Sequence, residues 1–131
     1  MRNVLRYGHF FVGIGVFLAL VSGCGSRPRQ GLVSGKITQS GKPLAHAMVV
    51  FVPASGIGAA GVTSEDGSYQ LTSRGDNDGV RVGSCTVGIQ SADPQKNPLA
   101  IPTRFRDAHS SGLHADVQPG SNRFDFDIPI Q

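Results

Sequence analysis

The sequence predicts an all-β domain, an antiparallel β-sandwich of about seven short strands. Three observations lead to this prediction. Apolar and polar residues alternate with a period of two after residue 31, and no stretch there has the spacing of three and four residues that marks an amphipathic helix. Turn residues are frequent, with 18 Gly and 8 Pro among 131 residues. This length allows one ordinary domain, and a hydrophobic content of 39% is too high for a fully disordered chain.

The strands are separated by segments rich in turn residues, and most of them have one apolar face. The run 47–52 is apolar on both faces, which is typical of a central strand in a two-layer structure. The segment 91–112 holds three Pro and has no regular period, so we expect it to lie along the surface, held there by Leu99, Ile101 and Phe105. The strands are expected at 32–38, 47–52, 62–63, 68–72, 80–90, 113–117 and 124–128.

Two tight turns predict hairpins. Asp66 and Gly67 lie at the tip of the first, between the segments 62–63 and 68–72. The second turn, 119–122, joins two segments that alternate clearly, so the last two strands are expected to pair with each other. Several short strands joined in this way favour a sandwich, and a mature domain of about 100 residues buries enough surface for a stable core without disulfides.

Residues 1–23 are expected to be a signal peptide. Arg2 and Arg6 precede an apolar run, 10–21, of 12 residues, which is shorter than the roughly 20 residues that a spanning helix needs. The run ends in a sequence similar to the lipobox of bacterial lipoproteins, where small residues fit a narrow protease cleft and the Cys thiol accepts a diacylglycerol. The residues of this motif are Val21, Ser22, Gly23 and Cys24. Cys24 is therefore predicted to be lipidated and to begin the mature chain, the alternatives being an ordinary secretory signal or an uncleaved anchor.

Residues 24–31 are expected to form a flexible tether, and residues 32–131 the folded domain. Without residues 1–23, the remaining 108 residues carry 10 basic and 9 acidic side chains and no basic cluster interleaved with aromatic residues, so nucleic acid is not an expected partner. The expected partners are a membrane, through the lipid, and an envelope protein or a glycan. Gly25 follows the lipidated Cys where Asp marks inner-membrane retention, which favours the outer membrane, facing the periplasm or the cell surface.

Three segments together resemble the carboxypeptidase regulatory-like domain, a transthyretin-like β-sandwich. The family usually shows the patterns G-x-V, G-x-P-L-x-x-A-x-V, T-x-x-D-G-x-Y and G-x-Y-x-V-x-V. The corresponding segments of this chain lie at 33–53, 61–71 and 83–89, with Gly35-Lys36-Ile37 at the first pattern. The tail, 101–127, is similar to that of small bacterial lipoproteins built on this domain. The resemblance covers 32–91 and implies a non-catalytic module. Cys85 stands where the family usually has Tyr, and the chain ends without the Tyr-Arg-Gly-Ser of the transthyretin-like hydrolases.

Cysteine and histidine offer few chemical candidates. With Cys24 lipidated, Cys85 is the remaining thiol, and its place in an alternating strand predicts a small buried hydrophobic residue. His109 and His114 lie five residues apart, and no ligand completes a zinc spacing beside them. The segment Asp76–Gly79 resembles half of a calcium loop but lacks the later acidic ligand, so an Asx-rich turn is the favoured interpretation.

The remaining charged groups do not predict a catalytic site. Glu65 and Asp66 are adjacent carboxylates at an exposed turn, which does not suit a paired acid and base. Arg104, Arg106 and Asp107 could recognise an anion but are more typical of a solvated loop. The sequence therefore predicts no enzyme, no cofactor and no metal, and a lipid-anchored envelope module. The alternative hypothesis is a secreted sandwich domain that binds a metal or a small ligand.

Overall fold

The computed structural model describes residues 30–73 and 79–130 of the chain. In these residues it contains ten strands and one short helix, and the strands form two sheets packed against each other. The predicted all-β sandwich is therefore confirmed. The elements are β1 (Gln30–Gln39), β2 (Lys42–Pro43), β3 (Ala47–Pro53), β4 (Ala59–Val62), β5 (Ser68–Gln70), β6 (Val80–Arg81), β7 (Gly83–Ser91), α1 (Thr103–Arg106), β8 (Leu113–Val117), β9 (Gly120–Arg123) and β10 (Phe126–Ile128).

The first sheet is built around β1. On one side β1 pairs antiparallel with β6, β5 and β2, and on the other side it pairs parallel with β9 and β10. Ser34, for example, is opposite Gln70 of β5 and also opposite Arg123 of β9. Because a strand residue with two partners has them on opposite sides, β1 is the central strand of this sheet. It begins at Gln30, two residues before the predicted start of the domain.

The second sheet has the order β4-β3-β7-β8 and is antiparallel throughout. The longest pairing in it joins β3 to β7, from Ala47 opposite Ser91 to Pro53 opposite Cys85. The segment 47–52 thus lies in a central strand, as its apolar residues on both faces predicted.

The core lies between the two sheets and follows the alternation of the sequence. Phe51 is fully buried near its centre, and its ring is 5.8 Å from the ring of Phe124 and 6.4 Å from that of Phe126, measured between centroids. The other buried residues come from every second position of the long strands, as predicted for 33–37 and 85–89. They include Val33, Ile37, Ala47, Val49, Tyr69, Leu71, Val80, Cys85, Val87, Ile89, Ala115, Val117 and Ile128.

Of the two predicted hairpins, the first is confirmed in part. Ala60 and Thr72 form an antiparallel bridge with two backbone hydrogen bonds of 3.1 Å, and the Ser64 N–H donates to the Ser68 carbonyl at 2.9 Å, although β4 continues in the second sheet and β5 in the first. The second is wrong in its pairing, because β8 pairs with β7, whereas β9 and β10 pair with β1. The aromatic side chains of the last segment pack on Phe51 of β3 across the core, so their strand must belong to the sheet that faces β3.

Three additions bring the predicted seven strands to ten. The segment 80–90 breaks at Val82, where β6 leaves the first sheet and β7 enters the second; Gly83 has φ of 128°, a conformation that favours glycine. β2 lies between two predicted strands, and β9 lies largely in the predicted turn 119–122. The predicted last strand, 124–128, begins only at Phe126, as β10.

The long segment between β7 and β8 is held as the sequence predicted. Ile101 and Phe105 are buried in the core cluster, and Leu99 packs partly buried against it. Phe105 lies in α1, one turn of helix that the sequence analysis did not foresee. The buried hydroxyl of Ser111 then donates a hydrogen bond to the Val87 carbonyl and accepts one from the backbone N–H of Leu113, which fixes the start of β8 beside β7.

Candidate functional site

A shallow groove crosses the outer face of the first sheet. One part, of about 360 Å³, lies over β1 between β5 and β9. A second part, of about 370 Å³, continues towards Val62 and Arg123, and the two parts share Ser34 and Gln70. We call the whole depression the sheet groove. Its lining residues are Leu32, Val33, Ser34, Gly35, Val62, Ser68, Tyr69, Gln70, Leu71, Ser121, Asn122 and Arg123.

The lining of the sheet groove is rich in hydroxyl and amide groups, and several of its polar atoms already have protein partners. The Tyr69 hydroxyl donates a 2.6 Å hydrogen bond to the Phe124 carbonyl, and burial, together with the nearby charge of Asp125, raises its pKa well above the ordinary value. The Arg123 guanidinium contacts the Asp125 carboxylate at 3.2 Å. The groups that remain for a ligand are neutral hydrogen-bonding groups such as those of Ser34 and Gln70, which suit a polar chain molecule.

Three side chains that the sequence analysis treated as turn or solvent-facing residues hold the last two strands against β1. Asn122 donates from Nδ2 to the Leu32 carbonyl at 3.2 Å and to the Gln118 carbonyl at 2.8 Å. Asp125 accepts a 2.8 Å hydrogen bond from the backbone N–H of Lys36. The Asp125 carboxylate thus acts as the acceptor for β1 at the break between β9 and β10, where a backbone carbonyl of a neighbouring strand would otherwise accept.

Asp127 is the third of these side chains. Its Oδ1 accepts hydrogen bonds from the Gly41 N–H at 2.9 Å and from the Thr38 hydroxyl at 2.7 Å, and these donors hold the pKa of the carboxyl below its usual range. The alternation of residues predicts only that Asp125 and Asp127 point away from the core. A solvated carboxylate and a carboxylate bound to backbone N–H groups both fit this alternation. No local signal in the sequence distinguishes the two cases.

The lowered pKa of Asp127 predicts a pH dependence of stability. A carboxyl whose pKa is lower in the folded state contributes stability above its unfolded value of about 3.9, and this contribution is lost as the pH falls through the folded value. We expect Asp127→Asn to lower the urea midpoint at pH 7. The difference from the native chain should begin to narrow below about pH 4, where the carboxyl becomes protonated in the unfolded state but is still ionised in the folded state.

The matched control is Asp116→Asn. Asp116 is also exposed, but its carboxylate accepts a hydrogen bond only from the flexible side chain of Gln118 among the described residues. Urea titrations between pH 2 and 7 should give a difference from the native chain that changes little with pH for this variant. Parallel curves for Asp127→Asn and the native chain over the whole range would contradict the prediction.

Cys85 is structural. It is 1% exposed within the core, and burial, with a smaller contribution from Asp116, raises the pKa of its thiol. The thiol contacts the Gly83 carbonyl at 3.8 Å. The prediction of a small buried hydrophobic residue is confirmed, and a raised pKa disfavours the reactive thiolate.

The three histidines within the described residues lie apart from one another. His109 lies in the turn after α1 and His114 in β8, and both are exposed. His46, before β3, contacts the Glu65 carboxylate at 3.2 Å. Among residues 30–73 and 79–130, no three His, Cys, Asp or Glu side chains lie close enough to share a metal ion. In the segment Asp76–Gly79, residues 76–78 lie outside the described part of the chain.

Glu65 and Asp66 have separate partners. Glu65 contacts His46, whereas Asp66 accepts hydrogen bonds from the hydroxyls of Ser64 and Ser68, each at 2.6 Å, and from the Ser68 N–H at 3.1 Å. These donors, the Ser64 hydroxyl first, hold the pKa of Asp66 well below its usual range. Asp66 therefore shapes the turn into β5, in which Gly67 has φ of 82°.

The charged residues of the long loop also separate. Arg106 donates from Nε to the Ile101 carbonyl at 2.9 Å and borders a second depression of about 360 Å³, over β3 and β7. The Arg104 guanidinium lies 4.4 Å from the centroid of the Phe105 ring, and Asp107 accepts a 2.8 Å hydrogen bond from the His109 N–H. Arg104 and Asp107 therefore make local contacts elsewhere. Of these three residues, Arg106 is the one that lines this depression.

The predicted lipobox, Val21, Ser22, Gly23 and Cys24, lies outside the described residues. In the described part of the chain, no helix has the length and apolar character needed to cross a bilayer. No protein-family model, no curated protein and no solved structure matches the chain. The sheet groove and the sequence of the first 30 residues therefore provide the basis for a functional proposal.

Proposed function

We propose that this chain is a lipid-anchored, non-enzymatic β-sandwich of the bacterial cell envelope, which binds or spaces envelope components. One observation carries the proposal: an apolar run of 12 residues ends in Val21-Ser22-Gly23-Cys24, and a folded β-domain begins soon afterwards, at Gln30. A signal peptide, a lipidated Cys and a folded domain would follow one another in this order in a lipoprotein.

The proposed anchor has a simple physical basis. A diacylglycerol on the Cys24 thiol supplies two acyl chains, which hold a protein stably at a membrane where a single chain binds only reversibly. The five residues between Cys24 and Gln30 include two Arg and no acidic residue. Such a segment is compatible with the negatively charged surface of a bilayer that contains anionic lipids.

Contacts of the motif residues support the proposed kinship with the carboxypeptidase regulatory-like domain. The Gly of the G-x-V pattern, Gly35, lies under the Phe124 carbonyl, and the Tyr of the D-G-x-Y pattern, Tyr69, donates to that same carbonyl. Two motifs that are 34 positions apart in the sequence thus meet at one point of the fold, where they hold the last segment of the chain.

The non-enzymatic character is supported by what the candidate acids and bases do. The carboxylates of Asp66, Asp125 and Asp127 bind N–H or hydroxyl groups of the protein, and the Tyr69 hydroxyl binds a carbonyl. General acid–base catalysis needs such a group to face a substrate. The neutral hydroxyl and amide groups of the sheet groove suit binding instead, with an envelope glycan or an extended protein segment as the proposed partner.

The test is the intact mass of the protein from the membrane fraction, for the native chain and for Cys24→Ala. We expect the native chain to begin at Cys24, to carry the mass of a diacylglycerol and to sediment with the outer membrane in a density gradient. In Cys24→Ala the lipid mass should be lost. Cys85→Ala is the matched control, because Cys85 is the other Cys of the chain and is buried in the core. It should keep the lipid.

An unmodified native chain, released from the membrane and cut at another position, would show that the proposal is wrong. That outcome would favour a secreted sandwich domain.

A further inference from the structure

We propose that one end of the sandwich rests on the headgroup layer of the membrane that holds the lipid, with Ile57 reaching into it. This proposal rests on the proposed lipid anchor at Cys24. We call this end the tether end, and define it as Gln30, the loop 54–58, Arg81 and the turn 118–120.

The position of the first strand brings this end to the membrane. Cys24 and Gln30 are six residues apart, so even a fully extended chain separates their Cα atoms by no more than about 22 Å. The strand β1, with 10 residues, runs for about 30 Å away from Gln30. The end that holds Gln30 therefore stays within about 22 Å of the lipidated residue, whereas the end that holds Gln39 can lie up to about 50 Å from it.

Contacts between strands and loops define which residues share this end. Gln30 is opposite Arg81 in the antiparallel pairing of β1 and β6. The Arg81 side chain lies against Gly56, where an added Cβ would be 2.7 Å from its guanidinium. Gly56 precedes Ile57 in the loop 54–58, so this loop lies at the same end of the sandwich as Arg81 and Gln30.

The chemistry of the tether end suits a bilayer surface. Ile57 is 56% exposed in a loop, so its side chain is free to enter an apolar phase. Arg81, whose side chain lies against the preceding Gly56, is an exposed cation. The sequence of the proposed tether contains Arg27 and Arg29. Among the described residues near the tether end, Asp116 of β8 is acidic. An apolar residue flanked by Arg is typical of protein surfaces that contact phosphate headgroups and the acyl boundary.

The experiment uses the absence of Trp from the sequence, since each variant then has a single Trp. The full-length lipoprotein, with Ile57→Trp, is reconstituted in vesicles of phosphatidylethanolamine and phosphatidylglycerol, with and without bromine on the acyl chains. Ile130→Trp is the matched control. Ile130 is 60% exposed, and its N–H donates to the Ser40 hydroxyl at the other end of β1.

We expect the emission of Ile57→Trp to shift to shorter wavelength and to be quenched by brominated lipid at least twice as strongly as that of Ile130→Trp. In the Ile57→Trp background, Arg81→Glu should reduce this quenching. Lys42→Glu, an exposed cation in β2 at the far end, should leave it unchanged. Flotation of the vesicles on a density gradient shows whether the protein is anchored.

Equal quenching at the two positions, or none at either, in vesicles that float with their protein would overturn this proposal and leave the lipid anchor intact. A protein that does not float with the vesicles would instead contradict the lipid anchor. The proposed contact between the tether end and the membrane would fail together with the anchor.

Discussion

Phe51→Ala is expected to destabilise the domain by about 3–5 kcal/mol, the usual cost of removing a buried aromatic side chain. Phe51 is fully buried, and its ring contacts the rings of Phe124 and Phe126, which come from the opposite sheet. Truncation would leave a cavity between the sheets and also remove the contact between the rings, which contributes about 0.5–1.5 kcal/mol per aromatic pair. Natural domains of this size are stable by about 5–15 kcal/mol in total, so much of the variant would unfold at a moderate temperature.

Urea unfolding and thermal melts would measure this loss for the purified full-length protein. Phe51→Leu keeps most of the apolar volume but loses the two ring contacts, so it should cost less than Phe51→Ala. Val52→Ala, at the next position on the outward face, should cost less than Phe51→Ala because Val52 is only half-buried. A melting temperature for Phe51→Ala equal to that of Phe51→Leu would show that the two sheets are not packed around this ring.

Gly35→Ala is expected to destabilise the domain by about 3 kcal/mol, although it adds one methyl group. A Cβ at this position would overlap the Phe124 carbonyl oxygen and lie 2.9 Å from the Tyr69 hydroxyl. The carbonyl oxygen belongs to the backbone and the hydroxyl to a buried ring, so neither atom can move without a wider rearrangement. The methyl group would push the last segment away from β1 and break the hydrogen bond from Tyr69 to Phe124, which leaves a buried polar group unpaired.

Melting temperatures would measure the effect, and we expect a decrease of roughly 10–20 °C, since 1 kcal/mol corresponds to about 4–8 °C in a domain of this size. Ser34→Ala is the matched control, because Ser34 is the neighbouring residue of the same strand and lines the outer sheet groove. Its melting temperature should stay within a few degrees of that of the native chain. A similar result for Gly35→Ala would mean that the Phe124 carbonyl does not lie over β1.

The alternation of apolar residues was sufficient to predict the strands and their inward faces. Val33 and Ile37, or Cys85 and Ile89, are buried as their spacing indicated, because a period of two has the same meaning in any sheet. The assignment of strands to sheets was not predictable in this way. A turn such as 119–122 has the same residues whether its strands pair with each other or, as here, separate into two sheets.

The candidate site shows the same division. The sheet groove is formed by three short segments, 32–35, 68–71 and 121–123, together with Val62 of β4. These segments meet only because β5 and β9 pair with opposite sides of β1, a long-range arrangement that leaves no local pattern in the sequence. The proposed lipidation motif is the opposite case, since it would be recognised through a few adjacent residues of the sequence.

The parallel pairing of β1 with β9 and β10 has a consequence for biogenesis. The first strand of the domain completes its sheet only with residues almost 90 positions later in the chain; Lys36, for example, is bonded to Asp125, 89 residues away. Contacts of such high contact order form slowly. The central strand therefore lacks one whole flank until residues 120–128 have been synthesised. In the export that we propose for this chain, such a delay would be an advantage, because a chain that has not yet folded is the form that can be threaded across a membrane.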